Sequence, residues 1–238
     1  TMATQGGLVV STNQPKGVLV KVLFEAEAAL EEPLTYDITA WSLPYAFGLN
    51  CIVTEKTVAL DGKMAPFTKN SAALNNTIAG YILPWNDVAD GAFLSDLLQA
   101  KIKVRFAEKP LRFEGVDFAP GSLVITKSDN RSQSKFTAKV TALANKHQRT
   151  LVTLSSGFSD NGIDLGSTNI KIINNQRVAI LKGDGVSSLS YGTLWHFTEQ
   201  ELKYPFTALN TATFEPAQLR QFDVLVLPSG WYGSLFSG

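Results

Sequence analysis

Residues 177–202 read RVAILKGDGVSSLSYGTLWHFTEQEL, and their order decides how the rest of the chain is parsed. An apolar run at 178–181 predicts a strand, Gly183-Asp184-Gly185 a tight turn, and 190–202 a helix entered through Ser187 and Ser188. Strand, glycine turn and helix N-terminus in that order open an α/β unit. Downstream, 206–209 reads as a strand, 216–221 as a short helix, and 224–227 as a strand that ends at Pro228-Ser229-Gly230. Three parallel strands with so little cover make a small sheet with an unprotected edge. The expectation is a unit cut short at Gly238, or a sheet completed by a partner, a second copy pairing through the open edge included.

Upstream, from Thr77, strands and helices alternate. Strands are predicted at 78–83, 102–106, 123–126 and 150–154, with a hairpin over 111–118 that turns at Glu114-Gly115. A helix over 91–100, capped by Asp87 or Asp90, carries Phe93, Leu94, Leu97 and Leu98 at helical spacing. A second, over 136–146, turns Phe136, Val140, Leu143 and Ala144 inward, and 155–166 is a glycine- and aspartate-rich loop. Two strands flanking each helix predict crossovers and a mainly parallel sheet.

Residues 1–76 read as lead-in helices and a connecting segment. A short strand at 8–11 precedes a helix running from about Lys16 to Ala29, with Asn13 as cap and Pro15 in its first turn. The aromatic-rich stretch around Tyr36, Trp41, Tyr45 and Phe47 predicts a short helix, a break at Pro44 and a packed turn ending at Gly48, with core-packing aromatics and Asp37 as a cap. Cys51, flanked by Leu49, Ile52 and Val53, reads as a buried, inert thiol. Residues 55–76 read as exposed connection.

Composition narrows the function classes. Twenty-one basic and twenty-one acidic residues give a net charge of +0, without the basic excess of a nucleic-acid binder. No apolar run approaches the roughly 20 residues that span a bilayer. The first residues, TMATQGG, do not read as a basic-then-apolar leader. A single cysteine forbids an intrachain disulfide.

Four stretches in order, YDITAWSLPYAFGL at 36–49, APGSLVIT at 119–126, SGFSDNGIDLGS at 156–167 and RVAILKGDGVSS at 177–188, resemble the region that follows the catalytic domain in bacterial zinc metallocarboxypeptidase-like proteins. The resemblance implies a glutamine-amidotransferase-like, flavodoxin-like α/β unit beginning at about residue 175, after a first α/β unit at 77–174. It implies a periplasmic or secreted parent that hydrolyses C-terminal peptide bonds with zinc held in its own catalytic domain. This chain is then an accessory, non-catalytic region whose partner is the peptidase domain.

The candidate chemistry is sparse. His196 and Glu199 stand at i, i+3, the spacing of a zinc-binding His-x-x-Glu pair, but the other histidine, His147, lies upstream and the surrounding residues do not match. No metal site is therefore expected in this chain. Gly183-Asp184-Gly185-Val186-Ser187-Ser188 could cradle a phosphate, although Ser188 replaces the last glycine and Asp184 opposes an anion, so a structural turn capped by the serines is expected. An amidotransferase needs a cysteine on a strand-turn-helix elbow, which Cys51 lacks. Asp160, Asn161 and Asp164 fall short of a calcium loop and read as a solvated turn. The rival to the accessory reading is an amidotransferase-like or small-molecule hydrolase pocket built from Gly183, Asp184, Gly185, Ser187, Ser188, Ser229 and Gly230 at the strand ends.

Overall fold

The computed structural model describes residues 8–25, 42–56, 58, 78–213 and 215–233. The chain divides into two compact units, residues 1–69 and 70–238. In the first, helix α1 spans Gly17–Phe24 and helix α2 Leu43–Ala46. Residues 8–11 form no strand, and the turn through Asn13 and Pro15 delivers Gly17, whose Cβ would lie 1.8 Å from the Thr12 carbonyl oxygen, so only glycine fits. Two expectations fail here: Tyr45 and Phe47 are exposed rather than packed, and the Cys51 thiol is exposed rather than buried. Apolar sequence neighbours extend along a loop without folding over the thiol. Asp37, Tyr36, Trp41 and most of 57–77 lie outside the described residues.

The second unit begins with strand β1, Gly80–Leu83, and helix α3, Val88–Gln99. Strands β2, Arg105–Ala107, β3, Leu111–Phe113, β4, Val116–Phe118, and β5, Leu123–Thr126, follow. Helix α4, Phe136–Lys146, leads to β6, Val152–Leu154, then β7, Asn161–Gly162, and β8, Ile170–Ile172. Strand β8 gave no alternating pattern long enough to read from sequence.

The mainly parallel sheet expected for this region is corrected: the five strands run β6-β1-β5-β2-β8 and every pairing is antiparallel. Strands β1 and β2 do run the same way, but β5 lies between them; β5 and β6 likewise flank β1. Each helix therefore crosses over one strand rather than none, the β-α-β-β-α-β arrangement, with β8 added at an edge and the β3-β4 hairpin inserted. Sequence alternation of strand and helix is the same for both layouts, so it cannot distinguish them.

Strands β1 and β5 are buried on both faces, which explains their continuous apolar runs. Tyr81, Leu83, Leu123 and Ile125 meet Phe93 and Leu97 of α3 and Phe136, Val140 and Ala144 of α4. Their alternates, Ile82 and Val124, face Leu111, Phe113 and Phe118 of the hairpin. Each such buried side chain contributes about 1.5–3 kcal/mol.

Both expected caps of α3 operate. The Asp87 carboxylate accepts the Ala89 N–H at 3.0 Å, and buried Asp90 accepts the N–H groups of Asn86 and Asp87 at 2.8 Å each. Arg149, beyond α4, donates to Asp87 at 2.8 Å and Asp90 at 3.1 Å, tying the two helices together.

A separate three-stranded sheet is parallel throughout. Strand β9, Val178–Lys182, lies between β10, Phe206–Asn210, and β11, Val224–Val226. Helix α5, Ser188–His196, and a π-helical turn, Phe197–Glu201, connect β9 to β10; a 3₁₀ turn, Pro216–Gln221, leads to β11. The connection from β9 to β10 adjoins α3, where the Ser95 hydroxyl and Gln99 amide donate to the Lys203 carbonyl at 3.0 and 2.8 Å. A Cβ on Gly91 would lie 2.9 Å from Leu202, so the absent side chain permits the approach. The described chain is thus mixed α/β, with two largely antiparallel sheets and one parallel sheet.

Candidate functional site

The turn after β9 needs its glycines. Gly183 and Gly185 have φ of 104° and 80°, the left-handed region, and a Cβ on Gly183 would stand 2.5 Å from Asn210 Oδ1. The Thr211 hydroxyl donates to the Asp184 carbonyl at 2.9 Å, fastening the turn to the end of β10. From the other side, the loop after β11 pairs with it: Val186 bridges Gly230, the Ser187 N–H donates to Ser229 at 2.8 Å, and the Trp231 N–H donates to Gly185 at 2.7 Å. The Ser229 N–H donates to the Ser190 hydroxyl at 2.9 Å.

Gly183, Asp184, Gly185, Ser187, Ser188, Ser229 and Gly230 are therefore brought together at the strand C-termini. Within the group, the Ser187 N–H is spent on the Ser229 carbonyl. Ser187 is the helix cap, accepting the Ser190 N–H at 3.4 Å, while Ser188 is the first residue of α5 and caps nothing. Asp184 is exposed. The backbone forms a joint between two loops, held by the amides of Ser187, Ser229 and Trp231.

His196 and Glu199 are placed differently from their spacing. His196 ends α5 and Glu199 lies in the π-helical turn, whose wider winding breaks the i, i+3 register. The acidic group beside His196 is Glu201, with Nδ1 to Oε1 at 3.9 Å. Ser188, Leu189, Thr193, His196, Phe197 and Glu201 line an open depression of about 560 Å³ on the outer side of α5. Among the described residues, no three histidine, cysteine or acidic side chains gather as metal ligands would. His147, the other histidine, instead shares the Asp96 carboxylate with Lys146, each at 2.6 Å. Burial alone would raise the Asp96 pKa, but the hydrogen bonds from Lys146 and His147 outweigh it and hold the carboxyl below its ordinary value.

A larger cleft, about 1110 Å³, opens at the end of the five-stranded sheet where β1 and β2 begin and β5 and β6 finish. On its floor Arg105 grips Asp129 through Nε at 2.7 Å and Nη2 at 2.9 Å, while Nη1 donates to the Ile170 carbonyl at 3.2 Å. The Thr126 hydroxyl donates to the same carboxylate at 2.7 Å and accepts from Ser128 at 3.1 Å. The Arg105 hydrogen bonds hold the Asp129 pKa below its ordinary value, against burial. Asp129 therefore remains a carboxylate at neutral pH.

The facing wall is the loop 157–167. Asp160 accepts the Gly115 N–H at 2.8 Å and Asp164 accepts the N–H and hydroxyl of Ser159 at 2.7 and 3.0 Å. Asn161 accepts the Gly162 N–H. The aspartates thus shape the loop, each through bonds to its own chain. Arg105, Asp129, Arg131 and Phe158 were not singled out from sequence. The one available signal was the polar run from Thr126 to Arg131 directly behind a fully apolar strand.

No protein-family model matches this chain, and no curated protein or solved structure matches it. No helix among the described residues is long and apolar enough to cross a membrane.

Proposed function

We propose that this chain is an accessory, non-catalytic region of an exported zinc carboxypeptidase-like peptidase, the parent's activity being hydrolysis of C-terminal peptide bonds. The observation that carries this reading is the bare apolar surface around the parallel sheet. Helix α5 buries none of its residues, Leu189 is 83% exposed and Trp231 81%, and Phe197, Val224 and Leu227 are exposed as well. Apolar surface of that kind is held on ordered backbone for contact with another body. In this reading the body is the parent's peptidase domain, which also holds the zinc, and the setting is the periplasm or the exterior. A homodimer through an open edge of the same sheet is the alternative use of that surface.

The finer fold reading belongs with it: residues 175–238 are the start of a glutamine-amidotransferase-like, flavodoxin-like unit. Its support is the parallel β10-β9-β11 order with the glycine turn at the end of the central strand.

The rival, a hydrolase or amidotransferase-like pocket near Gly183 and Pro228, is favoured by the convergence of those loops at the strand C-termini. The gene to either side of this chain separates the two. A His-x-x-Glu pair and a later histidine encoded upstream support the accessory reading. A cysteine or serine elbow followed by a histidine downstream overturns it.

A further inference from the structure

We propose that the cleft between residues 126–131 and the loop 157–167 binds a small carboxylate with an aromatic or apolar body. The cleft lies wholly within the second unit and takes no residue from the Gly183 joint. At about 1110 Å³ it is a broad depression open to solvent. It joins two surfaces of opposite character.

One wall is cationic. The floor pair Arg105–Asp129 is neutral as a unit, and every nitrogen of the Arg105 guanidinium already donates within the chain. What remains at that wall is Arg131, exposed and without an ion-pair partner among the described residues, next to Lys127. A guanidinium of this kind suits a carboxylate, with which it can form two parallel hydrogen bonds. The negative group across the cleft is Asp164, whose Oδ1 accepts from the Ser159 N–H and hydroxyl; these neutral donors fix its place and leave its charge intact.

The other wall, Asp164 and Ser167 apart, is apolar. Phe158 is 78% exposed although its loop is fixed at both ends, by the Leu165 N–H on the Gly157 carbonyl at 3.0 Å and the Asp160 N–H on Arg112 at 2.8 Å. Ile163 and Leu165 continue the surface down to the hairpin core. An exposed phenyl ring on an ordered loop, facing a cavity with a spare arginine, supplies a stacking surface and an anion contact together. Neither a bare phosphate nor a neutral aromatic would use both walls.

The test is a titration of the whole ¹⁵N-labelled chain with 3-phenylpropionate, with 3-phenylpropanol as the neutral control. The expected result is saturable shifts of amides at 128–131 and 157–167, at an affinity of about millimolar, and markedly weaker shifts with the alcohol. R131A should weaken binding about three- to fivefold and F158A comparably, both being exposed positions with little bearing on folding. The D184N variant, outside the cleft, should bind as the parent chain does. Absence of shifts, equal response to acid and alcohol, or binding unchanged in R131A overturns the proposal.

Discussion

The Trp231 N–H donates to the Gly185 carbonyl at 2.7 Å, so the loop leaving β11 is bonded to the turn leaving β9. This bond ties together two loops at the C-terminal ends of the strands. It also makes Gly185 irreplaceable: its φ is 80°, and a Cβ would lie 2.5 Å from the Trp231 carbonyl oxygen. Gly185→Ala should destabilise the chain by about 2–3 kcal/mol, combining left-handed strain with a weakened hydrogen bond. Urea unfolding followed by tryptophan emission measures it; a cost below the error of the fit would mean that the joint is slack.

Asp129→Asn should cost about 1–2 kcal/mol at pH 7, discounted because the Arg105 side chain is 31% exposed. The sign of its pH dependence follows from the lowered folded-state pKa. The pair's contribution is present above the unfolded carboxyl value, near about 3.9, and is lost as pH falls through the folded one. The gap between parent and variant should therefore narrow on acidification below that value. A gap that widened would reverse the assignment.

Arg177 and Asp223 form the same kind of pair at the exposed start of the parallel sheet, with Nη2 to Oδ1 at 2.9 Å. The Arg177 side-chain and backbone hydrogen bonds lower the Asp223 pKa to about 2. Carboxyl NMR should place its midpoint there, and Arg177→Ala should move it up towards the ordinary value near about 3.9. Any stability from this pair is fully present above the unfolded value and disappears between the two. A midpoint unchanged by the substitution would show that Arg177 is not the cause.

At the start of α3 the two aspartates should behave unequally. Asp87→Ala removes a cap, at about 1 kcal/mol. Asp90→Ala leaves the Asn86 and Asp87 amides without their buried acceptor, while Arg149 keeps Asp87, at about 2–3 kcal/mol. Chemical denaturation of the two variants ranks them, and the reverse order would refute this division of roles.

Much of this was legible in the chain, and the limits have physical causes. Helix α4 and the hairpin turn at Glu114-Gly115 follow directly from apolar spacing and turn chemistry, since both depend on neighbours in sequence. The gathering of Gly183 with Ser229 and Gly230 was readable because strand ends of one parallel sheet lie on one side. Strand direction was not readable: β1-α3-β2 has the same pattern whether β5 inserts between the strands or not. That Glu201 rather than Glu199 stands beside His196 was not readable, because a π-helical turn changes the winding without altering the spacing. Exposure of Cys51, Tyr45 and Phe47 depends on what does not fold over them, which local composition cannot convey. The cleft was missed for a related reason. Its two walls, 126–131 and 157–167, are separated in the chain by all of α4 and β6, and the second is held in place by the pairing of β7 with β3.

The most direct measurement on the central claim is zinc content of the purified chain together with its turnover of a C-terminal peptide substrate. The accessory reading predicts substoichiometric zinc and no hydrolysis above background. Stoichiometric zinc with turnover, both abolished by His196→Ala or Glu199→Ala, would contradict it and make this chain itself the peptidase.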